Sequence, residues 1–231
     1  RAALDTGSAK TYFSRGQMGN ALALSVSEIK AEYRVPYLAH ATLEPQNCTA
    51  LIRDDGKVEI WVPTQSPTIA QWFGAKAAGV SPHDVIVHST YLGGGFGRRS
   101  EMDMLVQAVA LAKTTDGRPV QLIWSREEDT THDMYRPAAL AQLAAGLDGA
   151  GNIVWWQSRS ASGSMMHSMT ERLGYKPMGP DKTNAEGLAD TVYEIPRLRI
   201  EHALVKHPVP LGPWRSVGHS QNAFFAEHFL D

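Results

Sequence analysis

A glycine-rich loop at residues 91–100 constrains this chain more than any other stretch. Its centre reads Gly-Gly-Gly-Phe-Gly, so glycine fills four of the five positions from 93 to 97. A β-branched run precedes the loop at residues 85–89, and a helical pattern begins near Ser100. A strand, a glycine-rich turn and a helix together aim backbone N–H groups at an anion. A helix-entry turn without a ligand is the alternative, but such a turn needs fewer glycines. We therefore expect a ligand-binding loop.

The loop matches neither of two common phosphate-binding motifs. A Walker A loop requires Lys and then Ser or Thr after its second glycine, whereas here Gly97 is followed by Arg98 and Arg99. A dinucleotide-binding fingerprint requires a third glycine at the position that Arg98 occupies. The two arginines nevertheless add fixed positive charge that suits phosphate. We therefore expect an anionic ligand, and a nucleotide-binding enzyme stays open as one alternative.

Composition excludes several classes of protein and site. The 231 residues carry a net charge of −2, so nothing favours nucleic acid or an anionic membrane as a partner. No apolar run approaches the roughly 20 residues of a membrane span. Cys48 is the only cysteine, which excludes an intrachain disulfide and an iron–sulfur cluster with about four cysteine ligands. A redox enzyme built on this chain would have to pass its electrons to another domain or subunit.

Periodicity predicts strands and helices in alternation around the loop. Helical spacing predicts a helix over residues 68–78 that ends at Gly79, with Trp72 in the core. Period-two alternation predicts a strand over residues 57–62. Together with the strand at residues 85–89, this β-α-β order indicates an α/β layer.

Three motifs occur together along the chain. They are the glycine loop, the Glu44-Pro45-Gln46 segment upstream of it, and the Pro-Trp-Arg-Ser-Val-Gly-His-Ser-Gln segment at residues 213–221. In this order they resemble the molybdenum-binding subunit of the xanthine oxidase and aldehyde oxidoreductase family, in its isoquinoline 1-oxidoreductase β-subunit-like branch. The resemblance runs from about Ala31 to the C-terminus. It implies an α+β fold of layered mixed sheets and helices, the molybdopterin-binding domain of the aldehyde oxidase and xanthine dehydrogenase type.

We expect three segments on this basis. Residues 1–30 are predicted to be a linker or the tail of a preceding lobe, because they are rich in Gly, Ser, Lys and Thr without a clear period. Residues 31–135 would form a first α/β lobe that carries the glycine loop. Residues 136–231 would form a second α/β lobe, truncated at its C-terminus. The chain starts at Arg1 and ends within a helical pattern, so we expect a fragment of a larger subunit.

The resemblance also implies a cofactor and its binding residues. The cofactor would be molybdopterin cytosine dinucleotide, with the molybdenum held by the pterin dithiolene and not by side chains. The catalytic base, a glutamate in the family, would lie beyond Asp231, and no catalytic residue is assigned within this chain. The two distant loops, one with glycines and one with Arg215, are expected to close on the same ligand. The candidate cofactor-binding residues are Gln65, Gly94, Gly95, Phe96, Gly97, Arg98, Arg215 and Gln221.

The implied function is part of a molybdenum hydroxylase. Such an enzyme oxidises an N-heterocycle or an aldehyde with oxygen from water and passes electrons to a small iron–sulfur subunit. That subunit, the remainder of the large subunit and a small-molecule substrate would be the partners, and the fragment alone would be inactive. The branch leans towards the bacterial periplasm. The rival interpretation is a non-catalytic scaffold or binding lobe that has lost the cofactor, because Ser100 stands where some family members place a glutamate, with Glu101 one residue later.

Overall fold

The structure is a computed structural model that describes residues 1–206 and 208–231, and only the backbone of Leu22. The chain divides into two compact units. One, called here the inserted unit, comprises residues 39–134. The other, called here the split unit, comprises residues 1–38 and 135–231.

Six α-helices and nine strands alternate along the described residues. In chain order they are α1 (Ala2–Asp5), β1 (Lys10–Arg15), β2 (Ser27–Val35), β3 (Asn47–Ile52), β4 (Val58–Val62), α2 (Pro67–Ala78), β5 (Val85–Ser89), α3 (Asp103–Ala112), β6 (Val120–Ile123), α4 (Arg126–Thr131), β7 (Ala139–Leu147), β8 (Ile153–Ser162), α5 (Met165–Arg172), β9 (Leu198–Leu204) and α6 (His219–Leu230). Short 3₁₀ turns occur at Leu22–Leu24, Pro82–Asp84, Arg98–Ser100 and Lys182–Ala185.

The inserted unit is a four-stranded mixed sheet covered on one face by helices. Its strand order is β5-β4-β3-β6, with β4 and β5 parallel and the other pairs antiparallel. Alternate residues of the strands point into a core with α2 and α3, as the period-two pattern requires. Ile60, Leu105 and Val109 are fully buried there. Gly74 lets α2 lie directly against Ile60, because a Cβ at Gly74 would overlap that side chain. The predicted α/β layer is therefore present.

Helix α2 follows the sequence-based prediction closely. It begins at Pro67 and ends at Gly79, whose φ of 83° gives the left-handed turn for which glycine is favoured. The prediction that Trp72 is a core residue is wrong, since it is 62% exposed. The residues of α2 that are fully buried are Ala70, Gly74 and Ala75, and Trp72 lies midway between the first two, on the opposite side of the helix.

The split unit is built on a five-stranded mixed sheet with the order β1-β9-β8-β7-β2. Strands β8 and β9 are parallel, and the other neighbours are antiparallel. Helix α6 packs on one face, where Phe225 joins Trp156, Leu198 and Ile200 in the core. Leu4 of α1 packs in a smaller cluster with Ala161 and Ala203.

The boundaries of the two units differ from those of the expected segments at 1–30, 31–135 and 136–231. Strand β1 pairs with β9, and β2 pairs with β7, so the first 38 residues belong to the same unit as residues 135–231. Strand β1 has no fully buried residue. Its sequence therefore lacks the alternation of apolar and polar residues by which a strand is recognised. The expectation of a mixed α+β fold is confirmed. Among the described residues, no helix is both long and apolar enough to cross a membrane.

Candidate functional site

The glycine loop follows β5 and presents unpaired backbone donors. Gly94 and Gly97 have φ values of 105° and 106°, and Phe96 between them has a φ of 54°. Side chains rarely adopt such values, which explains the glycines. The N–H groups of Gly94, Gly95 and Phe96 donate no hydrogen bond to any described residue. Successive N–H groups that are free in this way are available as donors to an anion.

Glu44 fastens the start of the loop. The N–H of Gly93 donates to Glu44 Oε2 at 2.8 Å, and the N–H of Glu44 donates to the carbonyl of Gly93 at 3.1 Å. Asn47 Nδ2 donates to Glu44 Oε1 at 2.7 Å and fixes the carboxylate from its other side. A Cβ at Gly93 would overlap the Cβ of Glu44. Two of the motifs found in the sequence are thus joined directly, and glycine at position 93 is needed for this close approach.

Gln65 fastens the end of the loop. Its Oε1 accepts a hydrogen bond from the N–H of Gly97 at 3.0 Å, and its own backbone N–H donates to the carbonyl of Arg99 at 3.0 Å. A Cβ at Gly95 would lie 2.7 Å from Gln65 Oε1. The Nε2 group of Gln65 donates to no described residue. The structure therefore brings Gln65 together with the glycine loop, while its role in binding a cofactor stays a prediction.

Arg98 turns away from the loop into the interior. Its two terminal nitrogens donate to the two oxygens of Asp103 at 3.0 and 2.7 Å, and its Nε lies 3.1 Å from Asp133 Oδ1. The guanidinium carbon lies 5.5 Å from the ring centre of Trp124, a cation–π distance. Burial alone would lower the pKa of Arg98, but the hydrogen bonds and charge of Asp103, and then Asp133, raise it overall. The side chain expected to face phosphate is therefore held by carboxylates in the interior.

Arg99 is also buried, and it binds the segment at Glu44 and Pro45 that holds the start of the loop. Its Nη2 donates to Glu44 Oε2 at 3.1 Å and to the carbonyls of Glu44 and Pro45 at 2.9 and 3.1 Å. Burial lowers the pKa of this guanidinium against the opposing effect of Glu44. The positive charge of Arg98 and Arg99 is thus neutralised by Asp103, Asp133 and Glu44 and is not presented at the surface. The backbone donors, rather than these guanidinium groups, are the anion-binding feature of the loop.

The loop before α6 presents Arg215 in the split unit. Arg215 is exposed, and its side chain has no hydrogen bond or ion pair with any described residue. Ser216 and Val217 follow with φ values of 64° and 52°. A β-branched residue such as Val217 in this region is a conformational outlier, and such strain is concentrated at functional sites.

The segment at residues 181–190 holds the Arg215 loop in place. The N–H of Gly218 donates to Glu186 Oε2 at 3.2 Å, and a Cβ at Gly218 would overlap the carbonyl of Thr183. The ring of His219 lies 2.9 Å from Asp190 Oδ2. Asn222 Nδ2 donates to the carbonyl of Glu186 at 2.8 Å. These contacts fix the backbone on the C-terminal side of Arg215 while its guanidinium points to solvent.

Gln221 lies in the first turn of α6 and is 2% exposed. Its Oε1 has no hydrogen-bond partner among the described residues. Arg136 lies near this turn, since its Nη1 donates to Ser220 Oγ at 3.3 Å. Unpaired buried amides are uncommon, so this oxygen is available to accept a hydrogen bond from a water or a ligand. The split unit therefore offers one free guanidinium, at Arg215, and one free buried acceptor near each other in the sequence.

The candidate residues therefore fall into two groups. Gln65 and the loop residues, including Arg98, lie in the inserted unit, and Arg215 and Gln221 lie in the split unit. The convergence of the two loops on one ligand stays a prediction. Among the described residues, no group of three or more His, Cys, Asp or Glu side chains could hold a metal ion.

Two structural roles carried no clear signal in the sequence. His40 and Glu44 are four residues apart, a spacing that would place them on one face of a helix, but the segment is not helical. His40 instead contacts Asp133, 93 residues away, and Glu44 contacts Gly93, 49 residues away. Glu44 belongs to the Glu44-Pro45-Gln46 motif, but the motif does not reveal that the side chain contacts the glycine loop. Asp133 lies in a polar stretch that gave no indication of its burial.

Comparison with known proteins gives a consistent result. The model of the molybdopterin cofactor-binding domain matches residues 4–231. The chain is 31% identical over 192 residues to the isoquinoline 1-oxidoreductase subunit beta of Brevundimonas diminuta, covering 83% of this chain and 24% of that protein. It is 27% identical over 226 residues to the xanthine dehydrogenase of Drosophila subobscura, covering 95% of this chain and 16% of that protein.

Solved structures show the same fold. Quinoline 2-oxidoreductase from Pseudomonas putida 86 superimposes with a TM-score of 0.78 at 19% identity, over 96% of this chain and 28% of that one. The aldehyde oxidoreductase of Desulfovibrio gigas superimposes with a TM-score of 0.70 at 20% identity, over 94% of this chain and 24% of that one. The chain therefore spans about a quarter, or less, of the length of these relatives.

Proposed function

The chain belongs to the molybdopterin cofactor-binding domain family, and from this premise we propose that it forms part of the cofactor cradle of a molybdenum hydroxylase. The carrying observation is the glycine loop. Three successive N–H groups, at Gly94, Gly95 and Phe96, are free of hydrogen bonds to described residues, while Glu44 and Gln65 fix the loop at both ends. A loop held in this way offers donors to an anion without reorganisation, which favours binding.

Each candidate residue has a distinct task in this proposal. In the inserted unit, the loop amides bind an anionic group of the cofactor. In the split unit, the Arg215 guanidinium binds an anionic group, and the buried Oε1 of Gln221 accepts a hydrogen bond. Gln65 orients Gly97 and offers its free Nε2 group to the same ligand. Arg98 contributes through its backbone position, because its side chain is bound to Asp103 and Asp133. The cytosine dinucleotide form suits these donors because it carries a pyrophosphate, an anion that backbone amides and a guanidinium both bind.

The reaction class follows from the relatives. When bound, the cofactor supplies the redox chemistry for hydroxylation of an N-heterocycle or an aldehyde with oxygen from water. Cys48 is buried, and burial raises its pKa to about 12, so it stays a thiol at neutral pH. In this proposal electrons leave through a separate iron–sulfur subunit, and the catalytic base belongs to another part of the large subunit.

The test uses Arg215→Ala in the intact assembly, with molybdenum analysis and pterin fluorescence as measurements. Loss of charge-assisted hydrogen bonds to an anion predicts cofactor retention about tenfold to a hundredfold weaker. Arg15→Ala is the matched control, because Arg15 is also an exposed arginine of the split unit. Undiminished molybdenum and pterin in Arg215→Ala would contradict the proposal.

The rival function is a scaffold lobe that has lost the cofactor. It is favoured by Ser100, because the family resemblance would place a glutamate at that position and the chain has Glu101 one residue later. This rival predicts an intact assembly that purifies without molybdenum or pterin, even when the cofactor supply is sufficient. Stoichiometric cofactor in the wild-type assembly would exclude it.

A further inference from the structure

Asp133 joins the two ends of the inserted unit. It is the second-last residue of that unit, and His40 is the second residue. The backbone N–H of His40 donates to Asp133 Oδ2, and the His40 ring nitrogen Nδ1 lies 2.8 Å from Asp133 Oδ1. The N–H of Met134 donates to Oδ1 at 2.7 Å. The segments through which the chain enters and leaves this unit are therefore fastened to one buried carboxylate.

The same carboxylate reaches the end of the glycine loop. Arg98 directly follows Gly97, and its Nε lies 3.1 Å from Asp133 Oδ1. The Arg98 and Asp133 side chains are 0% and 2% exposed. Arg98 also holds Asp103 through a two-point contact and lies over the Trp124 ring, so contacts on several sides restrict its guanidinium. These contacts also restrict the start of the Arg98–Ser100 turn and the adjacent Gly97.

Electrostatics keep Asp133 ionised in this place. Burial alone would raise its pKa, but the hydrogen bond and charge of His40, and then the charge of Arg98, leave the pKa below its ordinary value. One buried cation and two carboxylates would be unbalanced without the further donors from the His40 and Met134 backbone. Arg98 Nε faces Asp133 at ion-pair distance without a hydrogen bond, so the Arg98–Asp133 link is electrostatic. The members of this network come from the entry segment, the exit segment and the loop.

We propose that Asp133 is a positioning residue of the cofactor site, which holds the loop at residues 93–97 in its ligand-ready conformation before a ligand arrives. This positioning role of Asp133 depends on the proposed function only in one respect, which is the identity of the ligand. The competing explanation is that Asp103 alone fixes Arg98, in which case the link to His40 contributes nothing to the loop.

The test measures amide hydrogen exchange of Gly93 and Gly97 in the full-length, cofactor-free protein. Asp133→Asn keeps the shape of the side chain but removes the charge that faces Arg98. We expect exchange at these two amides to become about tenfold faster as the loop loosens. Val109→Ala is the control, because Val109 is buried in α3 and has no part in the network. At an equal loss of thermal stability, it should change the loop amides less than about twofold.

Arg98→Lys provides a second route if Asp133→Asn does not fold. It keeps the positive charge but cannot contact both carboxylates with the geometry of a guanidinium. Asp103→Asn is the comparison for this variant, because it weakens only the contact between Arg98 and Asp103. Faster exchange at Gly93 and Gly97 in Asp133→Asn, or in Arg98→Lys by more than in Asp103→Asn, supports the proposal if it also exceeds the Val109→Ala control. Unchanged loop amides, or the same acceleration in the control, would overturn it.

A second measurement separates this proposal from the proposed function. Pterin release from the loaded assembly should also be faster in Asp133→Asn than in Val109→Ala. If the amides respond while no pterin is bound to the wild-type assembly, the cofactor assignment fails and the positioning role stands. If wild type binds pterin but the loop amides do not respond, the positioning role fails and the cofactor assignment stands.

Discussion

Replacing Gly93 with alanine tests whether Glu44 packs so closely against the glycine loop that no Cβ fits at position 93. The added Cβ would overlap Glu44 Cβ and lie 3.2 Å from Glu44 Oε2 and 3.4 Å from Glu44 N. The obstacle is not the flexible end of a side chain, so the two segments must separate. The mutation Gly149→Ala is the control, because a Cβ at Gly149 meets no atom within 4 Å.

The expected magnitude follows from the two consequences of this displacement. Overpacking of this kind raises the free energy by about 1–3 kcal/mol, and the hydrogen bond from the Gly93 N–H to the Glu44 carboxylate is worth about 1.5–3 kcal/mol. The same movement relieves the clash and lengthens the bond, so the two figures do not add in full. We expect the unfolding free energy of the inserted unit to fall by about 2–4 kcal/mol.

Chemical denaturation measures the change in unfolding free energy, and hydrogen exchange shows whether that change is located in the inserted unit. The Gly149→Ala control should lie within about 0.5 kcal/mol of wild type. A double-mutant cycle with Glu44→Gly tests the cause, since removal of the Glu44 side chain should make Gly93→Ala much less destabilising. If Gly93→Ala unfolds like Gly149→Ala, or if the Glu44→Gly background gives no relief, the assigned contact is wrong.

Two further predictions concern titratable groups in the interior. Burial raises the pKa of Cys48 to about 12, so a disulfide-exchange reagent should leave this thiol unmodified in the folded protein at pH 8 and label it on unfolding; rapid native labelling would contradict this. Burial lowers the pKa of His202 from 6.5 to about 4, so the folded state disfavours the proton that the unfolded chain binds. The contribution of His202 to the free energy of unfolding should be fully present above about pH 6.5 and should fall by about 3 kcal/mol as the pH drops to 4. Denaturation measured across this pH range should show a smaller slope in His202→Gln.

Local patterns predicted the elements of this fold, but not the directions of several side chains. Helix α2 and strand β5 could be located because their periodicity and turn residues lie within a short window. The burial of Arg98 depends on Asp103 and on Asp133, which lies 35 positions later in the chain, and the exposure of Trp72 depends on the rotation of α2 against the sheet. Such contacts depend on tertiary packing, and the spacing of residues along the chain does not predict them. The glycine loop was recognised because its composition directly reports its unusual φ values.

Gln65 allows the anion-binding role of the loop to be tested separately from its stability. In Gln65→Glu the remaining carboxylate oxygen still accepts the hydrogen bond from the Gly97 N–H, so the fold should be as stable as wild type. The added negative charge lies beside the free N–H groups of residues 94–96 and repels an anionic ligand. At a separation of about 6 Å and an effective dielectric constant between 20 and 80, the repulsion is about 1–3 kcal/mol, or roughly tenfold in affinity at low salt.

The matched control for this change is Gln121→Glu, which places the same charge on an exposed residue of β6 in the same unit. Pterin retention in the intact assembly should fall in Gln65→Glu alone, and salt should partly restore it, because exposed charges are screened. If both variants retain the cofactor equally, then the free amides of the loop do not face an anion. The glycines would then serve only the close contacts of the loop with Glu44 and Gln65, and the ligand would have to be held by Arg215 and its own loop.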